Sequence, residues 1–275
     1  MLRYLFVLSR PRFWLYLAGP VLVGAAYGAT SLERLLSPTV GVLFLYFLLP
    51  ANVYLYGIND LFDTDTDQYN PKKEDRETRY RGGRLVPGAV IATGLMLVPV
   101  TALVPAATWG YLGGWAVMAT AYSAPPLRLK GRPYLDSLSN GLYVLPGFAA
   151  YTALAGTHPP LAAVVGGWVW AMAMHTFSAI PDIEPDRAAG LETTATRLGE
   201  RGALRYCGLL WSVAALAFLT LEWRLGLAFG TYSILLAAVV RSGVPVDRAY
   251  WWYPAVNTLV GGLLTIGGLW RLVYG

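Results

Sequence analysis

Charged residues are scarce in this sequence of 275 residues. Asp, Glu, Lys and Arg together make up 13% of the chain, whereas soluble globular domains usually have about 25%. Hydrophobic residues make up 56%. A water-soluble protein of this size needs a charged surface that this composition cannot supply. The composition therefore excludes a soluble globule and indicates an integral membrane protein.

Cysteine and histidine are almost absent. The single cysteine, Cys207, excludes an internal disulfide framework and any site built from several cysteines. The two histidines, His158 and His175, argue against a histidine-rich metal centre. In so apolar a chain, the net charge of +5 indicates basic loops at an anionic membrane surface. We therefore expect contacts with membrane lipid, no nucleic acid and no obligate protein partner.

The sequence is rich in long uncharged runs. A membrane-spanning helix needs about 20 mostly apolar residues, and these runs accommodate nine such helices. They are continuously apolar, whereas the strands of a membrane barrel alternate between apolar and polar residues. We therefore predict an all-α membrane protein with one transmembrane domain over residues 1–275. The predicted spans are roughly 13–30, 40–58, 85–105, 108–125, 134–155, 161–181, 203–221, 225–241 and 250–270.

The basic residues predict the orientation of these spans. Lys and Arg are enriched in cytoplasmic loops of membrane proteins. With a cytoplasmic N-terminus, all of the 21 basic residues except Arg34, Arg224 and Arg271 fall on the cytoplasmic side. We therefore expect the N-terminus in the cytoplasm, the C-terminus outside, and the protein in the plasma membrane.

Acidic residues form a first cluster at the cytoplasmic end of the second predicted span. Because a helix turns by about 100° per residue, Asp60, Asp63 and Asp67 share one helical face. Asn59 extends this arc, and Asn52 and Tyr56 continue the same stripe into the membrane.

A second acidic cluster lies at the cytoplasmic end of the sixth predicted span. Asp182 and Asp186 are four residues apart and therefore share a helical face. His175 and Ser178 continue this stripe into the span. His175 can be interpreted as an acid–base group in a cavity or as an ordinary contact between helices, and we favour the second interpretation.

The two clusters indicate a divalent cation. Neighbouring carboxylates cannot all remain ionised without a counter-charge. Magnesium prefers oxygen ligands and is often shared between carboxylates and the phosphates of a substrate. Basic residues near the clusters are suited to the outer phosphate oxygens. They are Lys72, Lys73, Arg76, Arg128 and Lys130.

The two motifs, Asn59-Asp60-x-x-Asp63-x-x-x-Asp67 and Asp182-x-x-x-Asp186, resemble the paired motifs of the UbiA superfamily of intramembrane prenyltransferases. The segment 122–130 resembles the tyrosine–lysine segment of that family, and the segment 190–199 resembles the stretch after its second motif. The resemblance implies nine helices around a central cavity that opens to the cytoplasm. It also implies an allylic prenyl diphosphate as donor and two Mg²⁺ ions bridged by the diphosphate of this donor.

The resemblance assigns roles to individual residues. The predicted metal ligands are Asn59, Asp60, Asp63 and Asp67 for the first ion and Asp182 and Asp186 for the second, and the five aspartates are also the predicted catalytic residues. The predicted contacts to the diphosphate are Lys73, Arg76, Arg128 and Lys130, although the run Asn70-Pro71-Lys72-Lys73 departs from the pattern of many quinone-pathway members. The predicted cavity residues are Asn52, Tyr56, Tyr122 and Ser178, and tyrosines here, including Tyr143, could stabilise a carbocation by cation–π attraction.

The acceptor is predicted from a second resemblance. The N-terminal run 8–20 and the sequence Tyr56-Gly57-Ile58 are similar to the lycopene elongase branch of the superfamily, which adds five-carbon units to carotenoid ends to make C50 pigments. This resemblance implies dimethylallyl diphosphate as donor and lycopene or a related carotenoid as acceptor.

Two alternatives to this function remain open. One is a quinone, aromatic or lipid prenyltransferase of the same superfamily. The other is a cation-coupled transporter, although its acidic residues should lie near the bilayer midplane.

Overall fold

The computed structural model describes residues 2–63 and 82–275, and every regular element in these ranges is helical. The α-helices are α1 (Leu2–Leu8), α2 (Trp14–Gly28), α3 (Leu32–Leu35), α4 (Pro38–Leu48), α5 (Pro50–Phe62), α6 (Leu85–Leu95), α7 (Leu97–Ala102), α8 (Trp109–Ser123), α9 (Leu135–Ser139), α10 (Leu145–Ala155), α11 (Leu161–Ala179), α12 (Ile183–Ala188), α13 (Thr194–Leu219), α14 (Trp223–Ser242) and α15 (Val246–Tyr274). Short 3-10 turns lie at Pro11–Phe13, Ala106–Thr108, Leu129–Gly131, Asn140–Val144 and Ile180–Asp182. The predicted all-α fold is confirmed.

Six helical segments of the described chain are long and apolar enough to cross a membrane. They are Leu32–Phe62, Leu85–Ala102, Leu161–Ala188, Thr194–Leu219, Trp223–Ser242 and Val246–Tyr274. The protein is therefore an integral multi-pass membrane protein. The other three predicted spans coincide with shorter helices. Of these, α2 and α8 have 15 residues each and α10 has 11. The count of nine spans, the central cavity and the orientation of the termini stay predictions.

Two of the predicted spans are broken helices. The predicted span 40–58 is interrupted at Leu49, and α5 begins at Pro50, which has no backbone N–H to continue the hydrogen bonding. The side-chain amide of Asn52 donates hydrogen bonds to the carbonyl oxygens of Phe47 and Leu48, both at 3.0 Å. The predicted span 134–155 consists of α9, a 3-10 turn and α10. Hydropathy identifies these segments as apolar but does not reveal where their backbone breaks.

The described chain divides into two compact units. Unit 1 comprises Met1–Leu127, Leu142–His158 and Gly261–Gly275, and unit 2 comprises Arg128–Gly141 and Pro159–Val260. In unit 1, α2 crosses α10 at backbone contact. A Cβ atom at Gly24 would lie 2.0 Å from the carbonyl oxygen of Gly147, and one at Gly28 would lie 2.6 Å from that of Tyr151. Small residues allow this close approach, which is a common way of packing membrane helices.

The C-terminal half of α15 also packs on α2 in unit 1. A Cβ atom at Gly268 would lie 2.8 Å from the Cβ of Ala26, and Arg271 Nη2 donates a 2.8 Å hydrogen bond to the carbonyl oxygen of Tyr27. The C-terminal end of α2 therefore lies beside the C-terminal end of α15.

Unit 2 has an aromatic core between α11, α13 and α15. Trp211 stacks on Tyr253 with ring centroids 5.9 Å apart, and Tyr253 lies 4.7 Å from Phe177 by the same measure. Trp211 and Phe177 are completely buried. Burial of aromatic side chains of this size is a large contribution to packing. It fixes the end of α11 that leads into Asp182.

Candidate functional site

The first motif lies at the C-terminal end of α5 in unit 1. Asp60 is in the last turn of this helix, and Asp63 is the first residue after it. Both carboxylates are buried, with exposed fractions of 1% and 6%. Asn59, which is half-buried, accepts a 2.9 Å hydrogen bond through Oδ1 from the hydroxyl of Ser123 at the end of α8. Two helices therefore hold this motif in place.

Arg10 contacts the first motif, although the sequence pattern does not single it out. Its Nη2 atom lies 3.7 Å from Asp60 Oδ1, and its guanidinium carbon lies 4.5 Å from the ring centroid of Tyr56. Arg10 joins α1 to the next turn with a left-handed backbone (φ 49°), a conformation that is uncommon for residues other than glycine. This places a cation against the buried carboxylate. Nothing in the local sequence of Arg10 specifies a partner 50 positions away.

Aromatic rings surround this end of α5. Phe13 lies 6.4 Å from Tyr56 and 5.2 Å from Tyr16, and Tyr16 lies 6.2 Å from Tyr143, measured between ring centroids. Their faces carry negative partial charge, which attracts cations. Unit 1 therefore places Tyr56 and neighbouring rings at the helix that carries the first motif, and the cation–π role of Tyr56 and Tyr143 stays a prediction.

The second motif lies in unit 2, where α11 gives way to α12. Asp182 ends the 3-10 turn, Asp186 lies in α12, and both residues are half-buried. Glu184, between them in the sequence, is exposed and accepts a 2.8 Å hydrogen bond from Arg187. The local geometry therefore separates the two aspartates from the surface glutamate.

Asp136 is a buried carboxylate that the sequence pattern does not single out. It is completely buried and accepts hydrogen bonds from the backbone N–H of Thr194, at 2.9 Å, and from the hydroxyl of Thr194. His175 Nε2 lies 3.7 Å from its Oδ2 atom. The Thr194 hydroxyl in turn accepts a 2.8 Å hydrogen bond from the backbone N–H of Tyr134. The only sequence signal was a single carboxylate at the edge of an apolar run.

The remaining predicted site residues lie in several different parts of the chain. Asp67, Lys73 and Arg76 lie outside the described residues. Lys130 is buried in a 3-10 turn, Arg128 precedes that turn with a left-handed backbone, and Tyr122 is half-buried near the end of α8. Ser178 donates a 2.7 Å hydrogen bond to the carbonyl oxygen of His175. The Asn52 side chain is buried at the α4–α5 break, which favours a structural role for this residue.

The predicted metal ligands belong to both acidic motifs. Within residues 2–63 and 82–275, no three or more His, Cys, Asp or Glu side chains form a group that could hold a metal ion. The third carboxylate of the first motif, Asp67, is outside these ranges. The assignment of metal ligands therefore stays a prediction.

Comparison with known proteins decides the family. A model of the UbiA prenyltransferase family matches residues 17–252. The chain belongs to this family. It is therefore a prenyltransferase enzyme, and this replaces the alternative of a cation-coupled transporter.

Relatives and solved structures agree with this assignment. The prenyltransferase is 63% identical to a lycopene elongase/hydratase of Halobacterium salinarum, over the full length of both chains. It is 30% identical to a lycopene elongase/hydratase of Corynebacterium glutamicum, with 96% of each chain covered. A UbiA homolog from Archaeoglobus fulgidus bound to DMAPP and Mg²⁺ has a similar fold, with a TM-score of 0.74 at 20% identity and coverage of 97% of this chain and 99% of the other. The predicted similarity to the lycopene elongase branch is confirmed.

Proposed function

We propose that this prenyltransferase transfers a five-carbon prenyl group from dimethylallyl diphosphate to lycopene or a related carotenoid, in a reaction that requires Mg²⁺. The observation that carries the proposal is the 63% identity to a lycopene elongase/hydratase over the whole chain. The fold similarity to a homolog bound to DMAPP and Mg²⁺ supports the donor and the ion.

The side chains at the motifs fit a magnesium ion. Mg²⁺ binds carboxylate and amide oxygens together with substrate phosphates. The first motif supplies the buried carboxylates of Asp60 and Asp63 next to Asn59. The second supplies Asp182 and Asp186. In the proposed enzyme, Asn59, Asp60, Asp63 and Asp67 would hold one ion, and Asp182 and Asp186 a second.

The proposed reaction begins with ionisation of the allylic carbon–oxygen bond of the donor. Magnesium, when bound, acts as a Lewis acid toward the oxygens of the leaving diphosphate. Lys130 and Arg128 are cations in unit 2 that suit the outer phosphate oxygens. In unit 1, the faces of Tyr56 and neighbouring rings are suited to the positive charge that develops on the allyl group. Such preplaced groups stabilise charge as it develops.

The acceptor is assigned by co-expression with a lycopene pathway. Cells that make lycopene and express this protein are expected to accumulate C45 and C50 carotenoids, identified by chromatography and mass spectrometry. An Asp63→Ala variant, produced at the same membrane level, is the control and should leave lycopene unchanged. Prenylated aromatic compounds formed while lycopene remains untouched would contradict the carotenoid acceptor and favour a quinone-type prenyltransferase.

The metal requirement is tested on isolated membranes. Treatment with EDTA is expected to abolish prenyl transfer, because without a divalent cation the carboxylates repel the diphosphate and nothing offsets the charge on the leaving group. Addition of Mg²⁺ in excess of EDTA should restore the original rate. Full turnover after exhaustive chelation would rule out the proposed role of the ion.

A further inference from the structure

Unit 2 contains a histidine–aspartate pair outside the proposed donor site. His175 Nε2 lies 3.7 Å from Asp136 Oδ2, and the side chains are 16% and 1% exposed, respectively. Asp136 cannot turn away easily, because the backbone and the hydroxyl of Thr194 both donate hydrogen bonds to it. A fixed, buried carboxylate therefore faces a histidine that is still partly accessible.

This arrangement determines which nitrogen of His175 can act as a base. A carboxylate beside Nε2 favours the tautomer with the proton on that nitrogen. The lone pair is then on Nδ1. Orientation of an imidazole by a buried carboxylate is a recurring device for placing a general base in enzymes. The pair therefore has the chemistry of a positioned base.

The location of His175 suits a role in the later part of the reaction. It precedes Asp182 by seven residues, which corresponds to about 10 Å along a helix and nearly the same helical face. The diphosphate would lie at the motif, with the reacting allylic carbon and the acceptor alkene farther from it. In this arrangement, His175 would lie at the depth of the acceptor rather than at that of the leaving group.

We propose that His175 is the general base that removes a proton from the water that quenches the product carbocation, and that Asp136 is its positioning residue. This inference rests on the proposed function. The electron pair of the terminal acceptor alkene forms a bond to the allylic carbon, and the carbon–oxygen bond to diphosphate breaks with its electrons on oxygen. A tertiary carbocation is left on the acceptor. Water adds to it, its proton passes to Nδ1 of His175, and the product is a tertiary alcohol.

Loss of the base changes which product forms, and it does not change the ionisation of the donor diphosphate. Without His175, the carbocation loses a proton from a neighbouring carbon to the diphosphate or to solvent, which gives an alkene. The ratio of alcohol to alkene among the elongated products therefore reports on His175. A role in packing alone would change the amount of product but not this ratio.

The test uses the full-length protein in lycopene-containing membranes with dimethylallyl diphosphate and Mg²⁺. In His175→Gln, the side-chain amide keeps an N–H group that can face Asp136 but has no basic nitrogen. Its alcohol-to-alkene ratio is expected to fall at least about tenfold, in line with typical effects of general bases, while total elongation falls less. Asp136→Asn should shift the ratio in the same direction by a smaller factor. His158→Gln is the matched control, because His158 is exposed and hydrogen-bonded to Tyr111 in unit 1.

The outcomes separate this inference from the proposed function. A wild-type ratio in His175→Gln overturns the base role. If that variant does not accumulate, His175→Asn is assayed with and without added imidazole, and a return of the alcohol with imidazole supports the role, whereas an unchanged ratio opposes it. A wild-type protein that elongates lycopene only to the alkene overturns this inference alone. If the wild-type protein does not elongate lycopene, both the proposed function and this inference are overturned.

Discussion

At the scale of single residues, the second motif offers a direct test of the assigned ligands. Asp182 is half-buried, whereas Glu184, two positions away, is exposed and paired with Arg187. We expect Asp182→Asn to lower prenyl transfer at least about 10-fold, the lower end of what loss of a metal-site interaction costs. Glu184→Gln should retain wild-type activity. Both rates are measured at matched protein levels in membranes, and equal rates for the two variants would contradict the assignment.

Arg10, near the N-terminus, forms an ion pair with Asp60 of the first motif. Removing one partner of a buried ion pair typically costs several kcal/mol. Because the side chain of Arg10 is 18% exposed, we expect Arg10→Ala to cost roughly 1–2 kcal/mol, or about 2–8 °C in Tm, when measured in EDTA.

Magnesium provides the second half of the Arg10 experiment. A cation at Asp60 would replace the lost guanidinium, so Mg²⁺ should raise the Tm of Arg10→Ala more than that of the wild type. Arg3→Ala, which changes an exposed arginine on α1, is the control and should behave like the wild type. An identical Mg²⁺ response in all three proteins would argue against a shared site for Arg10 and the ion at Asp60.

At the scale of helices, the crossing of α2 and α10 depends on glycines, among them Gly24, Gly28 and Gly147. The Cβ atom of Gly24→Ala would meet the carbonyl oxygen of Gly147 at 2.0 Å, so the helices must separate. Overpacking of this kind costs about 1–3 kcal/mol, which corresponds to a Tm lower by about 2–12 °C. Gly113→Ala in α8 is the control, because a Cβ there meets nothing within 4 Å. Equal melting of the two variants by detergent-based thermal unfolding would refute the close crossing.

The sequence predicted the helical class and the position of the acidic motifs, because both depend on local patterns. Hydrophobic runs specify helices, and spacings of three and four residues specify faces. Asp60 lies in α5 as expected, but α5 ends at Phe62, so Asp63 lies just beyond the helix rather than within it.

The partners of the acidic residues could not be predicted in the same way. Arg10 meets Asp60, and Thr194 meets Asp136, across long stretches of chain. Such pairs depend on how helices pack, and one sequence contains no periodic signal of that packing. For the same reason, the apolar run predicted that His175 lies in a helix but not that it faces a buried carboxylate.

At the scale of the whole molecule, the predicted topology places the two termini on opposite sides of the membrane. The C-terminal ends of α2 and α15 lie side by side in unit 1, where Arg271 donates to the carbonyl oxygen of Tyr27. Neighbouring helices with adjacent C-terminal ends run in the same direction. The predicted first and last spans must also run in the same direction, and the number of spans and the side on which each terminus lies stay predictions.

Cysteine labelling tests this topology. The sole cysteine, Cys207, is buried, so a Cys207→Ala protein provides a background for single cysteines. We expect Leu36→Cys, at a highly exposed position between the first two predicted spans, to react with a membrane-impermeant maleimide on intact cells. Glu184→Cys should react only after the cells are opened. The reverse pattern would show that the protein is inserted the other way round.

The contact between Gly24 and Gly147 also limits how unit 1 can move. A slide of α2 along α10 by one residue would press a side chain against a main-chain oxygen, so the register between these helices is locked. Any opening of this part of unit 1 must therefore come from bending the pair or displacing it as one piece, and not from one helix sliding past the other.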